Sequence, residues 1–362
     1  MTAGRWMCDM LGLLLRLALL GFLWNAFFLN AQAYGASSAA EFIDVHNHLH
    51  GIYSAGPRMF DYDFEGAARV ALQRMQEAGI KRMYIMPPPI SLNHPAGYDF
   101  ENFLNTVKKY SGRFSFLGGG GTLNVMIQQA VHEDRTTETM KRRLEKRALE
   151  ILSKGALGFG ELTAEHVSLA PDHPYESAPP DHPLFLLLAD IAASHDVPID
   201  IHMEAVPEDM PLPSGLSPFQ NPKILKANIS AFERLLSHNR KAKIIWAHVG
   251  WCQTGRRTHA LCAELLERHP NLYMSFKIGP DSRPETRPME KGIGPKGEWL
   301  DLILRFPDRF IIGSDQFYVT PRSSKRFPEH LRATTVFLSL LPPEIVHKLA
   351  IENSKRIFTR DR

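Results

Sequence analysis

The sequence Phe42-Ile43-Asp44-Val45-His46-Asn47-His48-Leu49-His50 joins a short apolar run to three alternating histidines. The apolar run has the composition of a buried β-strand. Because alternate residues of a strand project from the same face, His46 and His48 can direct both imidazoles at one point. Such a pair suits a metal ion, although histidines two apart also arise by chance in a chain that has 16 of them. The metal interpretation therefore requires partners at the ends of other strands.

The composition is that of a globular enzyme. The 362 residues are 44% hydrophobic and 22% charged, which is ample for a hydrophobic core. The net charge of +3 is too small to indicate a nucleic-acid partner, and no basic run is interleaved with aromatic residues. We therefore expect a small-molecule substrate as the partner and no nucleic acid, and we leave self-association into a homo-oligomer open.

The first forty residues have the layout of a secretory signal peptide. Arg5 precedes an apolar run from Leu11 to Leu29, and Ala31-Gln32-Ala33 offers a small-residue cleavage site. At about 19 residues the run is also long enough for an uncleaved membrane anchor. We expect residues 1–40 to be a signal peptide or N-terminal anchor and residues 41–362 to be the catalytic domain. The protein is then exported to the periplasm or the cell exterior, free of the membrane once the signal is cleaved.

Eight apolar strands alternate with helices between residues 42 and 358. Such alternation predicts parallel strands joined by helical crossovers, and eight units favour a (β/α)8 TIM barrel over an open doubly wound sheet. No Gly-x-Gly-x-x-Gly turn opens a helix, which argues against dinucleotide binding. The inserts Glu165–Pro183 and Ala205–Pro222 each follow a strand, so we expect both over the C-terminal face of the barrel, where they would shape substrate access.

Five of the predicted strands end in residues that can bind a metal or transfer a proton. Those residues are His46 and His48, Glu161, His202, His248 and Asp315. Each has a plain structural explanation on its own, such as a helix cap or a buried, hydrogen-bonded histidine. A barrel enzyme collects its catalytic groups from strand ends at the C-terminal face, so we expect these side chains to converge there. Their joint occurrence favours a metal site.

Four motifs resemble the strand-end motifs of the amidohydrolase superfamily: Phe42–His48, Asp200-Ile201-His202, Trp246-Ala247-His248-Val249-Gly250 and Gly313-Ser314-Asp315. The nearest branch is the amidohydrolase-related group, which includes the aminocarboxymuconate-semialdehyde and resorcylate decarboxylases. The resemblance runs from about residue 42 to residue 358 and is specific for the superfamily rather than for a substrate. It implies a divalent metal with His248 near the reacting group and with four protein ligands, His46, His48, His202 and Asp315.

The chemistry of these residues suits those implied roles. Imidazole and carboxylate ligands favour zinc, and a catalytic zinc site keeps one position open for water or substrate. The metal would lower the pKa of bound water towards about 7. Asp315 could then accept the proton of that water and pass it to a leaving group. His248, which is not needed to complete four ligands, could polarise a carbonyl or stabilise an oxyanion.

Glu161 departs from the pattern of many two-metal superfamily members, which carry a carboxylated lysine on the fourth strand. A glutamate can bridge two cations, bind one, or orient a ligand histidine from outside the ligand set. The sequence therefore favours one ion and leaves a second, held by Glu161, open.

Basic residues near the seventh strand end are candidates for substrate binding. Lys277 at the strand end, Arg283 and Arg287 in the following loop, and Arg58 in the first loop could receive a substrate carboxylate. Ordinary solvated basic side chains explain the same residues equally well.

The sequence predicts an exported metal-dependent hydrolase that directs a metal-activated water at a small-molecule ester, lactone or amide. One alternative is a metal-dependent non-oxidative decarboxylase of a small carboxylated substrate. Another is a non-catalytic binding protein in which the metal is structural. Such a protein would have no need of both His248 and Asp315, which argues against it.

Overall fold

The computed structural model describes residues 41–359 apart from residues 57–58, 93, 95–96, 171–172, 280 and 291–292. The predicted signal segment, residues 1–40, and Arg58 lie outside the described residues. Within the described part of the chain, no helix is both long enough and apolar enough to cross a membrane.

Eight parallel strand positions form the centre of the fold. They are β1 Phe42–His50, β2 Ile80–Ile85, β3 Phe114–Phe116 with Gly118–Gly119, β4 Phe159–His166, β5 Pro198–Met203, β6 Lys243–Val249, β7 Leu272–Phe276, and β8 Phe310–Ile312 with Gln316–Val319. One sheet has the order β8-β1-β2-β3 and the other the order β3-β4-β5-β6-β7-β8. Because β3 and β8 each contribute a segment to both sheets, the ladder closes in sequence order. The (β/α)8 TIM barrel predicted from the sequence is confirmed.

Helices cover the outside of this barrel. They are α1 Phe64–Ala78, α2 Glu101–Lys109, α3 Leu123–His132, α4 Glu138–Ser153, α5 Pro183–Ser194, α6 Ile229–His238, α7 His259–Arg268, α8 Gly297–Arg305, α9 Leu331–Ser339, α10 Pro343–His347 and α11 Asn353–Phe358, with a π-helical turn at Lys348–Glu352 between the last two. The first helix follows its local sequence signals: the Asp63 side chain accepts a hydrogen bond from the Gly66 amide, and Gly79 ends the helix in the left-handed conformation.

Two apolar layers hold the barrel together. The outer layer packs the helices against the strands. The inner layer joins residues of five barrel strands and of the C-terminal helix: Ile43, Val45, Tyr84, Met86, Leu117, Ile245, Ile311, Ile357 and Phe358. This inner cluster fills the barrel with close-packed side chains, so the polar strand ends are placed on a rigid scaffold.

The two predicted inserts pack against each other. Ser168 donates its amide hydrogen to the Asn221 side chain at 2.7 Å, and the Asn221 amide returns a hydrogen bond to the Ser168 carbonyl at 3.0 Å. Val167 of the first insert packs in a small buried apolar cluster with Val206 and Met210 of the second and with Leu225. The inserts therefore behave as one structure beside β4 and β5.

Candidate metal centre

The predicted strand-end residues meet in one buried cluster. His46, Glu161, His248 and Asp315 each offer a ligand atom, and these atoms all lie within 4.8 Å of one another. His48 and His202 contact the carboxylates of this group. The first, fourth, fifth, sixth and eighth strands thus contribute to a single site.

Glu161 lies at the centre of the cluster. Its Oε2 atom lies 3.3 Å from Nε2 of both His46 and His48. Its Oε1 atom lies 3.0 Å from Nδ1 of His202 and 2.9 Å from Nε2 of His248. The two oxygens of one carboxylate therefore divide the four histidines into a β1 pair and a β5–β6 pair.

Asp315 lies on the side of the β1 pair. Its Oδ1 atom is 3.1 Å from Nε2 of His48 and 3.8 Å from Nε2 of His46. Its Oδ2 atom is 2.5 Å from the ammonium nitrogen of Lys277 and 4.0 Å from Nδ1 of His248. Asp315 thus connects the histidines to a buried cation.

Backbone contacts set the direction of these side chains. The Asp44 carboxylate accepts hydrogen bonds from the Ser314 amide at 2.9 Å and the Ser314 hydroxyl at 2.5 Å, and the Asp315 amide donates to the His46 carbonyl at 2.9 Å. His248 and Asp315 both adopt positive φ, at 66° and 55°. Non-glycine residues keep that conformation only where their surroundings require it, so β6 and β8 are held by tertiary contacts where they enter the site.

Burial and charge oppose each other around Glu161. Burial alone would lower the pKa of His46, but the negative charges of Asp200 and Glu161 raise that pKa well above its usual value. Burial alone would raise the pKa of Glu161, but the charge of His46 and the hydrogen bonds from His202 and His248 hold it well below the usual range. Glu161 is therefore an ionised carboxylate in a buried site.

The same balance applies to Asp315 and His248. Burial would raise the pKa of Asp315, yet the positive charge of Lys277 keeps it well below its ordinary value. Burial lowers the pKa of His248 to well below the usual value despite the attraction of Asp315. His248 is thus a neutral imidazole, the form that can bind a metal.

The donor set fits divalent cations. Among the described residues, both ring nitrogens of His46, Nδ1 of His248 and both carboxylate oxygens of Asp200 are buried without a hydrogen-bond partner. The Asp200 carboxylate nevertheless lies 3.1 Å from Nδ1 of His46, close enough to orient that ring. Two donors that bind one zinc ion in tetrahedral geometry lie roughly 3.4 Å apart. The 3.3 Å separations around Glu161 are of this size.

The predicted substrate-binding residues divide into two groups. Lys277 lies at the cluster, paired with Asp315 and 3.8 Å from the centre of the Trp251 ring. Arg283 donates to the Ser214 carbonyl at 3.4 Å, and Arg287 pairs with Glu290 at 2.7 Å. These contacts tie both arginines to loops. A role of the three in binding substrate stays a prediction.

Two further residues of the candidate site, Asp200 and Asp44, did not figure among the predicted site residues. Asp200 lies against His46, and Asp44 holds Ser314 beside Asp315. Each stands two residues before a strand-end histidine, His46 or His202, and that spacing is the only sequence signal for either. Asp200 contacts the histidine of a different strand, so its partner could not be read from the spacing.

Comparison with known families identifies the class. The sequence model of the amidohydrolase family matches residues 125–360, and the chain belongs to this family of enzymes. The match covers the ends of β4, β5, β6 and β8, while His46 and His48 lie before it. No curated protein sequence matches the chain.

The solved structures to which this chain is similar are distant in sequence. An organophosphorus hydrolase from Deinococcus radiodurans is 16% identical, with a TM-score of 0.50 over 90% of this chain and 96% of that one. A probable 2-pyrone-4,6-dicarboxylic acid hydrolase from Acinetobacter baumannii is 12% identical, with a TM-score of 0.47 over 88% and 99% of the two chains. A 2,6-dihydroxybenzoate decarboxylase from Rhizobium is 13% identical, with a TM-score of 0.46 over 88% and 98%.

Proposed function

We propose that this protein is an exported metal-dependent hydrolase that acts on an ester, lactone or amide bond of a small molecule. The observation that carries the proposal is the position of Glu161, which places one carboxylate oxygen at each of two histidine pairs. The site is buried at the strand ends where barrel enzymes carry out their chemistry.

We further propose that the site holds two divalent ions, most simply zinc. The first would be held by His46, His48 and Asp315, the second by His202 and His248, and Glu161 would be shared. The sequence favoured one ion, with His248 beside it; the even division of the histidines around Glu161 favours two. When bound, such ions polarise a carbonyl oxygen and make water more acidic.

The residues of the chain would then orient the reactants and accept a proton. Asp315 is ionised and would be the proton acceptor, while Lys277, which contacts its Oδ2 atom, fixes the orientation of the carboxylate. The Trp251 ring centre lies 6.1 Å from the ring centres of both His202 and His248, so the indole borders the second histidine pair.

A substrate screen tests the reaction class. Metal-free protein, prepared with a chelator, is expected to be inactive and to regain hydrolysis of an ester, lactone or amide when zinc is added. The Asp315→Asn variant is the matched control, since it removes the proton acceptor while keeping the shape of the side chain. Zinc-loaded wild-type protein that hydrolyses none of the three bond types would contradict the proposal.

A decarboxylase is the second candidate, and Lys277 is the observation that favours it. A buried cation 2.5 Å from Asp315 could orient a substrate carboxylate next to the metal. Aromatic carboxylates belong in the same screen for this reason. Release of carbon dioxide from one of them, without hydrolysis of any ester, lactone or amide, would support this candidate instead.

Export is part of the proposal and has its own test. The N-terminal layout around Arg5 and Ala31-Gln32-Ala33 supports a mature chain that begins between Tyr34 and Glu41. N-terminal sequencing of protein recovered from the natural host would check this. A chain that still begins at Met1 or Thr2 would mean that the segment is retained as an anchor.

A further inference from the structure

Arg257 is a buried arginine that donates hydrogen bonds to the backbone of β6. Its side chain is only 1% exposed. The guanidinium donates to the carbonyl oxygen of Trp246 at 2.7 Å and to that of Ala247. It also lies 3.8 Å from the centre of the Trp246 ring. Burial lowers the pKa of Arg257 to about 10, so it remains a cation at neutral pH.

The two carbonyls that Arg257 binds come immediately before His248. At this point the pairing of β6 with β7 is irregular, because the register shifts between Trp246 and Val249. His248 has a φ of 66°, which turns its chain out of the regular strand. Where the strand ladder is interrupted, carbonyl groups need other donors, and Arg257 supplies them.

Trp246 extends the same arrangement to β5. Its indole nitrogen donates a hydrogen bond of 2.8 Å to the Met203 carbonyl, the residue after His202. The stacked Arg257–Trp246 pair therefore fixes the ends of the two strands that carry His202 and His248. These are the two histidines on the Oε1 side of Glu161.

We propose that Arg257 is a positioning residue that holds His248, and with it the second half of the metal centre, in place. Arg257 does not reach the reacting atoms; it acts through the backbone of β6. This inference rests on the two-ion site proposed above, and it extends the functional unit beyond the residues of the buried cluster.

Zinc binding by metal-free protein tests the proposal, with Arg257→Lys as the variant and Arg309→Lys as the matched control. Arg309 also binds backbone carbonyls, those of His269 at the end of α7 and Leu272 at the start of β7, but at the opposite end of the barrel. In Arg257→Lys we expect the affinity for one zinc equivalent to fall roughly 10- to 100-fold while the other is unchanged. Arg309→Lys should keep both affinities. Unchanged binding in Arg257→Lys, or equal weakening of both equivalents, would overturn the proposal.

A double-mutant cycle separates positioning from general stability. If Arg257 acts through His248, adding Arg257→Lys to His248→Ala should weaken zinc binding no further than His248→Ala alone. Fully additive losses would contradict that route. A wild-type protein that binds no zinc would instead mean that the proposed function has failed.

A second variant covers the case in which Arg257→Lys does not fold. Trp246→Phe keeps an aromatic ring beneath the guanidinium and removes the hydrogen bond to Met203. It is expected to weaken the same zinc equivalent as Arg257→Lys, the one lost in His248→Ala. The proposal would be contradicted if Trp246→Phe weakened binding of the zinc equivalent that is lost in His46→Ala, or if it weakened binding of neither equivalent.

Discussion

The ammonium nitrogen of Lys277 lies 2.5 Å from Oδ2 of Asp315, and both side chains are buried. The pair joins the end of β7 to the break between the two segments of β8. Lys277 therefore forms an ion pair with a carboxylate of the candidate metal centre. A buried charge without this partner would be strongly destabilising.

The stability of metal-free protein should depend on Lys277. Lys277→Met leaves the buried Asp315 carboxylate without its cation, and we expect the free energy of unfolding to fall by about 3–5 kcal/mol. The matched control is Lys226→Met, which breaks a surface pair with Asp209 at 2.7 Å and should change nothing measurable. Denaturant unfolding checks both. Equal stability of the two variants would show that the buried pair is not structural.

Asp315→Asn should separate metal binding from proton transfer. The amide keeps an oxygen donor and the shape of the side chain but cannot accept a proton. We expect the variant to retain much of its zinc while kcat falls by roughly 10²–10⁴, the usual contribution of general acid–base catalysis. Metal analysis and steady-state kinetics on the same preparation provide the check. Loss of all zinc, or wild-type kcat, would remove Asp315 from the proton-transfer role.

The barrel could be predicted because its signals are local. Apolar strands alternating with helices mark each unit, as in α1, where Asp63 and Gly79 set the two ends. The end of β4 was harder to predict from the sequence, because the strand continues beyond Glu161 to His166. That extension depends on pairing with β5 and with Glu176–Ser177, and neither is visible in the local sequence.

The sequence was sufficient to predict which residues form the site, but not how their side chains are arranged. Strand-end positions identified the histidines, Glu161 and Asp315, since parallel strands end at one face of the barrel. The central position of Glu161 and the pairing of Lys277 with Asp315 depend on side-chain directions across several strands. The contact between Asp200 and His46 has the same origin. No spacing within one segment encodes such contacts.

The stability of the β4 end should depend on pH through Glu165. Burial raises the pKa of this carboxyl to about 7, although Ser177 and Tyr175 donate hydrogen bonds to it. A raised carboxyl pKa favours the protonated form in the folded state. The stability that Glu165 contributes is therefore fully present below its pKa in the unfolded chain, about 4.3, and is lost as the pH rises towards about 7.

Glu165→Gln should remove this dependence. In metal-free wild type, ionisation of Glu165 should lower the free energy of unfolding by up to about 3 kcal/mol between about pH 5 and about pH 8. The Glu165→Gln variant should not show this loss. The exposed Glu145→Gln change serves as the control and should leave the pH profile of wild type unaltered. Parallel pH profiles for wild type and Glu165→Gln would contradict the expected ionisation.

The two histidine pairs should bind metal separately. His48→Ala should lose the zinc equivalent on the Oε2 side of Glu161, and His202→Ala the equivalent on the Oε1 side, because each removes one donor. Each variant is expected to retain close to one equivalent at saturating zinc, measured by elemental analysis after dialysis. Loss of all zinc in both variants would mean that the six residues bind a single ion.

The metal stoichiometry of Glu161→Gln tests the account most directly. The amide is isosteric with the carboxylate but has lost its charge and one of its two anionic oxygens, so it cannot bridge two cations. Elemental analysis at saturating zinc should give two equivalents for wild type and no more than one for the variant. One equivalent in wild type, unchanged in Glu161→Gln, would contradict the shared-carboxylate site and return Glu161 to the role of a residue that only orients its histidines.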